Sequence, residues 1–309
     1  MNILITGGAG FIGQALVNQL SSNHNIIILD NFLKQVHGDS PKKKLENCKV
    51  IEGDVSELNS WELAFREDPE LIIHLASETG TGQSMDEITR YNNTNVIGTS
   101  IMLDMLNKYN HKVKKIILTS SRSVYGEEKN IEKNKNLRPL SVYAVTKLTQ
   151  EYLIQVSSPV PYTILRYQNV YGPGQSIKNP YTGIISIFSE RFSNNDSVTI
   201  WDNGLPSRDF IFIEDVVDAT ILAINNKKTK NEIINVGSGK SILIIEIAKY
   251  LRDKINPKSE IFISDFHRPG DVLCAKADIT KIKKMGWKPK FNILDGLDKF
   301  YTWFIAQKP

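Results

Sequence analysis

The chain has 309 residues, 41% of them hydrophobic, which is enough for one large domain and a smaller second one. Its net charge of +4 is modest, and its short lysine clusters carry no interleaved aromatic residues, so nucleic-acid binding is not indicated. No apolar run reaches the roughly 18 residues of a membrane span, and a strand predicted from residue 2 leaves no room for a signal peptide. Cys48 and Cys274 fit neither a metal site nor a disulfide pattern, so we expect a reducing cytoplasm.

Apolar runs alternate with helical patterns along the first half of the chain, at 2–6, 25–29, 48–52, 71–75, 114–119 and 161–166. This alternation predicts an α/β fold with a doubly wound parallel sheet. The amphipathic stretch at 85–109 is predicted to be the helix after the fourth strand. Beyond residue 174 the alternation weakens into shorter elements at 184–193, 209–213, 214–226, 241–254 and 260–263. We expect these to form a smaller lobe, with some segments of about 205–240, among them 209–213 and 233–236, returning to the main sheet.

A glycine-rich loop separates the first predicted strand from the first helical pattern, with the sequence Gly8-Ala9-Gly10-Phe11-Ile12-Gly13. Such a loop lets the backbone approach a pyrophosphate, which then lies at the helix N-terminus. The second strand ends in Asp30, 22 positions after Gly8, where a carboxylate can accept hydrogen bonds from an adenosine ribose. A tight turn without a ligand is the alternative for the glycines alone. The combination predicts dinucleotide binding, and Asp30 favours NAD because its charge would repel the 2′-phosphate of NADP.

Tyr143 and Lys147 are separated by four positions in a predicted helix, so both side chains can enter one cleft. A nearby ammonium stabilises a phenolate and thereby lowers the pKa of the tyrosine, and a positive nicotinamide ring adds to this effect. A tyrosine with a lowered pKa can act as a general base. This spacing is common by chance, and it acquires meaning here because it follows the fifth strand of a dinucleotide fold.

The fifth predicted strand ends in hydroxyl side chains, at Thr119, Ser120 and Ser121. The carboxyl ends of parallel strands face the crevice in which such sheets bind ligands. We therefore expect a hydroxyl here to share a hydrogen bond with Tyr143 and a substrate. A polar strand end with turn-forming serines is the alternative.

In these motifs the chain resembles the extended short-chain dehydrogenase/reductase family, in its branch of NAD-dependent nucleotide-sugar epimerases and dehydratases. The resemblance covers nearly all 309 residues and rests on segments 6–13, 54–55, 75–77, 95–99, 121–126, 143–147, 166–169, 208–210, 235–237 and 268–271. It implies a Rossmann domain over 1–170 that carries the catalytic Tyr and Lys. It also implies a C-terminal α/β lobe over 171–309 that mainly binds the nucleotide sugar, and a homodimer formed through the helices at 85–109 and 141–157.

Carried over by position, the resemblance implies a catalytic set of Ser121, Tyr143 and Lys147. It implies NAD contacts at Gly7, Gly10, Phe11, Ile12, Gly13, Asp30, Asn31, Asp54, Val55, Leu75, Ala76, Ser77, Asn95, Tyr143 and Lys147. Asp54 and Val55 would flank the adenine, residues 75–77 the nicotinamide, and Asn95 would support the central helix. The family usually has alanine at position 77, and a serine there is a mild departure. No metal ligands are implied.

The same resemblance implies substrate contacts at Ser121, Ser123, Asn169, Arg208, Arg268, Asp271 and Ala275. Asn169 and the two arginines would bind the diphosphate, a role that suits a guanidinium group. Asp271 would lie near the nucleoside. In related epimerases the residue at position 275 lies beside the sugar 2-substituent, so its small side chain implies that 2-acetamido sugars are accepted. On residue chemistry alone, each arginine could equally form a surface ion pair.

The two residues after Ser121 separate the reactions of this branch. Its 4,6-dehydratases have Asp and then Glu there, and its decarboxylases usually keep the Glu. Arg122 and Ser123 offer no carboxylate, so both reactions are disfavoured. What remains is oxidation and re-reduction at one carbon, which predicts an NAD-dependent 4-epimerase of a UDP- or dTDP-hexose.

Three alternatives stay open. A one-way 4-ketosugar reductase would usually prefer NADPH, against which Asp30 argues. Another nucleotide-sugar oxidoreductase or lyase, including a 4,6-dehydratase, is the second. A non-catalytic NAD-binding scaffold is the third, although such proteins tend to lose the serine, tyrosine or lysine that this chain keeps.

Overall fold

The strands of this chain are short runs rich in branched apolar residues, which suit a parallel sheet covered by helices on both faces. The computed structural model describes residues 1–38, 45, 48–127, 137–267 and 272–308. Within them the strands are β1 (Asn2–Thr6), β2 (Asn25–Asp30), β3 (Cys48–Glu52), β4 (Leu71–His74), β5 (Lys115–Ser121), β6 (Tyr162–Tyr167), β7 (Asn169–Tyr171), β8 (Val198–Ile200), β9 (Ser207–Arg208), β10 (Phe210–Phe212), β11 (Glu232–Val236), β12 (Ile242–Leu243) and β13 (Ile261–Ile263).

The helices of the same residues are α1 (Phe11–Leu20), α2 (Lys34–His37), α3 (Leu58–Phe65), α4 (Gln83–Asp86), α5 (Ile88–Tyr91), α6 (Gly98–Lys108), α7 (Val142–Ser157), α8 (Ile184–Ser193), α9 (Ile213–Asn225), α10 (Ile244–Ile255), α11 (Thr280–Lys284) and α12 (Ile293–Ala306). The single helix expected at 85–109 is interrupted, because Glu87 leaves helical geometry with φ −118° and ψ 47°. From α5 the helix continues through a π-helical segment, Asn92–Ile97, into α6. Among the helices described here, none is both long and apolar enough to cross a membrane.

Seven strands form one parallel sheet in the order β11-β6-β5-β4-β1-β2-β3. The α/β fold with a doubly wound parallel sheet, predicted from the sequence, is confirmed. Alternate residues of β1 face opposite sides, as the pleat requires. Ile3 and Ile5 pack with residues of α1 and α9, and Leu4 packs with residues of α3 and α6. All three side chains are fully buried, which places β1 in the centre of the core.

Beyond β6 the chain builds a second layer of structure. Three two-stranded sheets form there: β7 with β10, β9 with β12 and β8 with β13. A third apolar cluster joins them to α8, α10 and α12, with Phe192, Leu251 and Phe300 among its fully buried members.

The two segments expected to return to the main sheet behave differently. β11 lies beside β6 in the main sheet, in register Ile233↔Ile164. β10 instead pairs with β7 outside it, so the expectation for 209–213 is wrong. The physical reason is aromatic packing: the rings of Phe210 and Phe212 stand edge-on to Tyr171, at centroid distances of 6.2 and 5.5 Å, and hold β10 in the third cluster.

The glycine-rich loop brings α1 very close to the end of β1. A Cβ atom on Gly13 would lie 2.5 Å from the Gly7 carbonyl oxygen and 2.6 Å from the Gly8 Cα, both of them backbone atoms. A Cβ on Gly10 would meet only the Gly7 carbonyl oxygen, at 3.2 Å. The first contact forces a backbone shift, whereas the second needs only a small adjustment.

We therefore expect Gly13→Ala to lower the free energy of unfolding by about 2 kcal/mol, as overpacking of a tight site does. Gly10→Ala, the matched control, should cost clearly less. Urea unfolding of both variants without NAD measures the difference. Equal losses in the two variants would contradict the close packing of α1 on this loop.

Candidate active site

A single cavity of about 1220 Å³ opens at the carboxyl ends of the parallel strands. Its lining comes from residues at or just after the ends of β1, β2, β4, β5 and β6, and from segments beyond β7. Ligands of open α/β sheets bind at this edge. Because small-ligand pockets usually measure roughly 300–1,000 Å³, this cavity is large enough for more than one ligand.

The glycine loop fits the pyrophosphate of a dinucleotide. Gly7, Gly10, Phe11, Ile12 and Gly13 all line the cavity. Helix α1 begins after Gly10 with no side-chain cap and no acidic residue in its first turn, so its leading N–H groups are open to an anion. A Cβ on Gly7 would lie 2.8 Å from the backbone nitrogen of Ala76, so only glycine permits this close approach.

Asp30 lies at the end of β2 on the cavity wall and is 7% exposed. Its carboxylate accepts hydrogen bonds from the backbone N–H groups of Ala9 and Phe32, each at 2.9 Å. The imidazole of His37 lies 3.6 Å away. The acidic group is therefore fixed beside the glycine loop, as recognition of a ribose requires.

Of the NAD contacts expected at Asn31, Asp54 and Val55, only two line the cavity. Asn31 and Val55 line it, and Val55 is buried. Asp54 is not among the lining residues; its carboxylate accepts a hydrogen bond from Asn31 at 2.8 Å and two from Ser56. Burial raises the pKa of Asp54, but the hydrogen bonds from Ser56 and Asn31 outweigh it and lower that pKa overall.

Residues 75–77 line the cavity after β4, and Asn95 supports them from behind. Asn95 is fully buried; its carbonyl oxygen accepts hydrogen bonds from the Ser77 hydroxyl (2.9 Å) and the Glu78 N–H (2.8 Å). Its amide nitrogen donates to the Thr146 hydroxyl at 2.9 Å. Asn95 thus links the loop after β4 to α7 without reaching the cavity. The serine at position 77, the departure noted in the sequence, has a defined partner.

Tyr143 and Lys147 enter the cavity from the first turns of α7. The helix starts there because Ser141 caps it, accepting a hydrogen bond from the Ala144 N–H at 3.2 Å. Lys147 is 3% exposed, and its ammonium donates to the Ser77 hydroxyl at 3.4 Å. The two side chains meet in one cleft, as their spacing predicts.

Ser121 ends β5 on the same wall, where a 3₁₀ turn begins. Its hydroxyl accepts a hydrogen bond from the Ser123 N–H and donates to the Ser123 hydroxyl, both at 3.1 Å. The same hydroxyl is close enough to Tyr143 to oppose the rise in the pKa of that tyrosine. Ser123 lines the cavity. Arg122 is buried and donates to the Gly126 carbonyl oxygen at 3.0 Å, so neither residue brings a carboxylate to the site.

Burial controls the proton affinities of this group. It lowers the pKa of Lys147 to about 7, against the opposing charge of Glu151. It raises the pKa of Tyr143, and the hydrogen bond with Ser121 only partly offsets this. The sequence predicts the opposite direction for Tyr143. The difference arises because burial of the phenol disfavours its ionised form.

Of the residues expected to bind substrate, Asn169 and Arg208 line the same cavity. The Asn169 amide donates to the Asp209 carbonyl oxygen at 3.0 Å, and one guanidinium nitrogen of Arg208 donates to the Ser207 carbonyl oxygen at 2.9 Å. Ala275 has no exposed surface and is not among the lining residues. Arg268 and Asp271 lie outside the described residues.

Two groups at the site were missed by the sequence reasoning. Glu151 is fully buried and forms a bidentate ion pair with Arg166, at 2.8 and 2.5 Å. Its position four residues after Lys147, on the same helix face, was a usable signal. Gln35 and Asn179 also line the cavity, and no local pattern distinguishes them from surface amides.

A dinucleotide cradle and a Ser–Tyr–Lys cluster in one cavity of a Rossmann sheet define a nicotinamide-dependent enzyme of the short-chain dehydrogenase/reductase type. Residues 3–237 match the NAD-dependent epimerase/dehydratase family. The chain therefore belongs to that family, and its cofactor is NAD, as the sequence predicts.

Individual relatives agree with this membership. The chain is 33% identical to dTDP-L-rhamnose 4-epimerase from Burkholderia thailandensis, over 99% of this chain and 95% of the relative. UDP-glucose 4-epimerase from Thermotoga maritima, solved with UDP-glucose, is similar with a TM-score of 0.88 and 32% identity, and 99% of each chain is covered. UDP-glucose 4-epimerase from Thermus thermophilus, in complex with NAD, gives a TM-score of 0.88 at 27% identity over 100% of both chains.

The lowered pKa of Lys147 predicts a pH-dependent contribution to stability. An unfolded lysine keeps its proton up to about pH 10.5, whereas Lys147 loses it near pH 7 in the folded chain. Between these values the unfolded chain binds more protons, so folding stability rises with pH. The free energy of unfolding of the unmodified protein, minus that of Lys147→Met, should increase by a few kcal/mol from pH 7 to pH 10.

Chemical denaturation at several pH values, without NAD, measures this difference. Lys108→Met is the control, because Lys108 is an exposed lysine with its side chain 64% accessible. It should show no such trend. A difference for Lys147→Met that stays flat across this pH range would mean that the lysine titrates normally.

Proposed function

We propose that this chain is an NAD-dependent 4-epimerase of a UDP- or dTDP-hexose. The observation that carries the proposal is the composition of one cavity. It combines the glycine loop and Asp30 with the Ser121–Tyr143–Lys147 cluster and with Asn169 and Arg208, while Arg122 and Ser123 supply no carboxylate. A site of this kind can take a proton from a sugar hydroxyl and return it, and the two positions after Ser121 offer no acid and base for removing water across two carbons.

Tyr143 is the general base in this proposal. Its phenolic oxygen takes the proton of the sugar 4-hydroxyl directly or through Ser121, which lines the same cavity. The glycine loop, Asp30 and residues 75–77 would hold NAD, which when bound would supply a reversible two-electron acceptor whose positive ring favours the ionised tyrosine. The Lys147 ammonium donates to the Ser77 hydroxyl and provides a proton donor in the Ser121–Tyr143–Lys147 cluster. Tyr143 returns the proton after the sugar has turned.

Asn169 and Arg208 hold the diphosphate during that turn. Arg208 is 7% exposed, so its guanidinium group acts on an anion with little screening by water. A fixed diphosphate and a sugar that is free to rotate are both needed for the two faces of C4 to be presented in sequence. We assign the sugar-binding part of this work mainly to residues 171–309 and the cofactor-binding part to 1–170.

Position 275 stays in this proposal as the one whose small residue allows 2-acetamido sugars, although Ala275 itself does not line the cavity. Its complete burial means that a bulky side chain there would displace its neighbours first. An Ala275→Ser variant is therefore a gentler probe of this position than an aromatic substitution. Arg268 and Asp271 remain proposed contacts to the diphosphate and the nucleoside. We further propose a cytoplasmic homodimer.

The function is tested with purified protein and a panel of UDP-, dTDP-, GDP- and CDP-hexoses, with NMR to resolve the products. We expect a 4-epimer to form with no net change in NAD. Tyr143→Phe should lower kcat by about 10²–10⁴-fold, the usual contribution of a general base. A 4-keto-6-deoxy product would indicate a dehydratase, and a panel without turnover despite bound NAD would favour the reductase or the scaffold.

The homodimer has a separate test on α7. Val145, Tyr152 and Val156 lie on one face of this helix and are 48%, 53% and 85% exposed, an unusual density of large apolar side chains. Val156→Arg should convert the dimer to a monomer in gel filtration with light scattering. Leu205→Arg, at another exposed leucine (62%), is the control. A dimer that survives Val156→Arg would show that α7 is not the interface.

A further inference from the structure

Three amide side chains from distant parts of the chain meet beside the cavity. Gln35 on α2, Gln83 on α4 and Asn179 in the segment after β7 form a group that we call the amide bridge. The Gln35 amide donates to the Gln83 carbonyl oxygen at 3.0 Å and to the Asn179 carbonyl oxygen at 3.4 Å. In turn the Gln83 amide donates to the Gln35 carbonyl oxygen at 3.0 Å.

The amide bridge is largely withdrawn from water. Gln83 is 4% and Asn179 8% exposed. The Gln83 amide also donates to the Glu87 carboxylate at 2.8 Å, and the Asn179 side-chain oxygen also accepts from the Tyr181 N–H at 3.0 Å, so these buried amides have several partners. Arg90 donates to the Gln35 carbonyl oxygen at 3.2 Å. Arg90 is itself fixed by ion pairs with Glu78 and Glu87, at 2.9 and 2.7 Å. A buried network that is satisfied in this way holds a defined geometry.

The position of the amide bridge connects the two sides of the cavity. Gln35 and Asn179 both line it. Gln35 lies on the short helix that also carries His37, the neighbour of Asp30. Asn179 belongs to the segment that follows β7, and β7 begins at Asn169. The contact between Gln35 and Asn179 therefore joins the wall that holds the ribose carboxylate to the wall that belongs to the substrate side.

We propose that the amide bridge closes over the bound dinucleotide and retains it through turnover. This inference rests on the proposed function, because an epimerase uses one cofactor molecule for both halves of its reaction, whereas a one-way reductase must exchange it. Once the bridge is formed, NAD can leave only after the Gln35–Asn179 contact opens. Gln35, Gln83 and Asn179 are thus cofactor-retaining residues that no motif in the sequence indicates.

The experiment measures exchange of the cofactor without any sugar. Protein is saturated with unlabelled NAD, freed of excess and mixed with NAD labelled in its adenine. Rapid gel filtration then measures how much label has become bound to the protein at each time. Gln35→Ala and Asn179→Ala should each accelerate exchange by about five- to tenfold, the effect of losing one or two hydrogen bonds. The double variant should be no faster than the faster single variant, because both substitutions open one contact.

Gln19→Ala is the matched control, since Gln19 is an exposed glutamine on α1; it should exchange at the unmodified rate. Thermal melting of the variants checks that each is folded. Unchanged exchange in both single variants would overturn the proposal, as would exchange complete within the mixing time in the unmodified protein. Unchanged exchange with a raised KM for the nucleotide sugar would assign these residues to the substrate instead. Because no sugar is present, the exchange result stands apart from the test for 4-epimer formation.

Discussion

The ion pair between Glu151 and Arg166 is the interaction on which the geometry of the active site depends. Both guanidinium contacts are made in the protein interior, where the Glu151 side chain is fully buried. The Ser120 hydroxyl donates to the same carboxylate. One acid thereby ties α7, which carries Tyr143 and Lys147, to the ends of β5 and β6. Removing one partner of such a pair leaves an uncompensated buried charge, which costs about 3–5 kcal/mol.

The ion pair also reaches further along the sheet edge. Arg166 donates to the Tyr125 hydroxyl at 2.9 Å, and that hydroxyl donates to Asn235 on β11 at 2.7 Å. The chain from Glu151 to Asn235 therefore links α7, β6, the 3₁₀ turn that follows β5, and β11. Ser121 directly follows Ser120, and Asn169 comes shortly after Arg166. The spacing between Tyr143, the proposed base, and the proposed diphosphate contacts therefore depends on this network.

The same burial that makes the ion pair strong limits the positive charge of the site. Burial lowers the pKa of His74 to about 3, and the charge of Lys147 lowers it further. The imidazole stays neutral and hydrogen-bonds to the Thr6 and Thr99 hydroxyls. Burial also lowers the pKa of Lys147 to about 7, so the ammonium beside Ser77 is a group that can itself lose a proton near neutral pH.

Local signals explain what the sequence could predict. The β1–α1–β2 unit could be predicted because a buried strand, a glycine loop and a terminal acid occur in one short stretch. The pairing of Tyr143 with Lys147 could be predicted because the two residues share a helix face. These features depend on residues that are close in sequence, where the period of helix or strand decides the outcome.

Features that arise from tertiary packing could not be predicted in this way. The pairing of β10 with β7 depends on aromatic contacts in a cluster that no local pattern reveals. The burial of Ala275 depends on a hydrogen bond from its N–H to the Ser207 carbonyl oxygen, 68 residues away in sequence. The raised pKa of Tyr143 reflects desolvation, which is a property of the folded site and not of the Tyr–Lys spacing.

The contacts around the cavity bear on how one site can hold the cofactor in place and still let the sugar turn. On the cofactor side, backbone groups and buried side chains bind one another tightly, as at Asp30 and Asn95. On the substrate side, the Asn169 amide donates to the Asp209 carbonyl oxygen, and one guanidinium nitrogen of Arg208 donates to the Ser207 carbonyl oxygen. Fixed contacts beside the glycine loop suit a reaction in which the cofactor stays still while the sugar turns. The two sides also differ in architecture, because the cofactor side is built on the central sheet and the substrate side on short paired strands outside it.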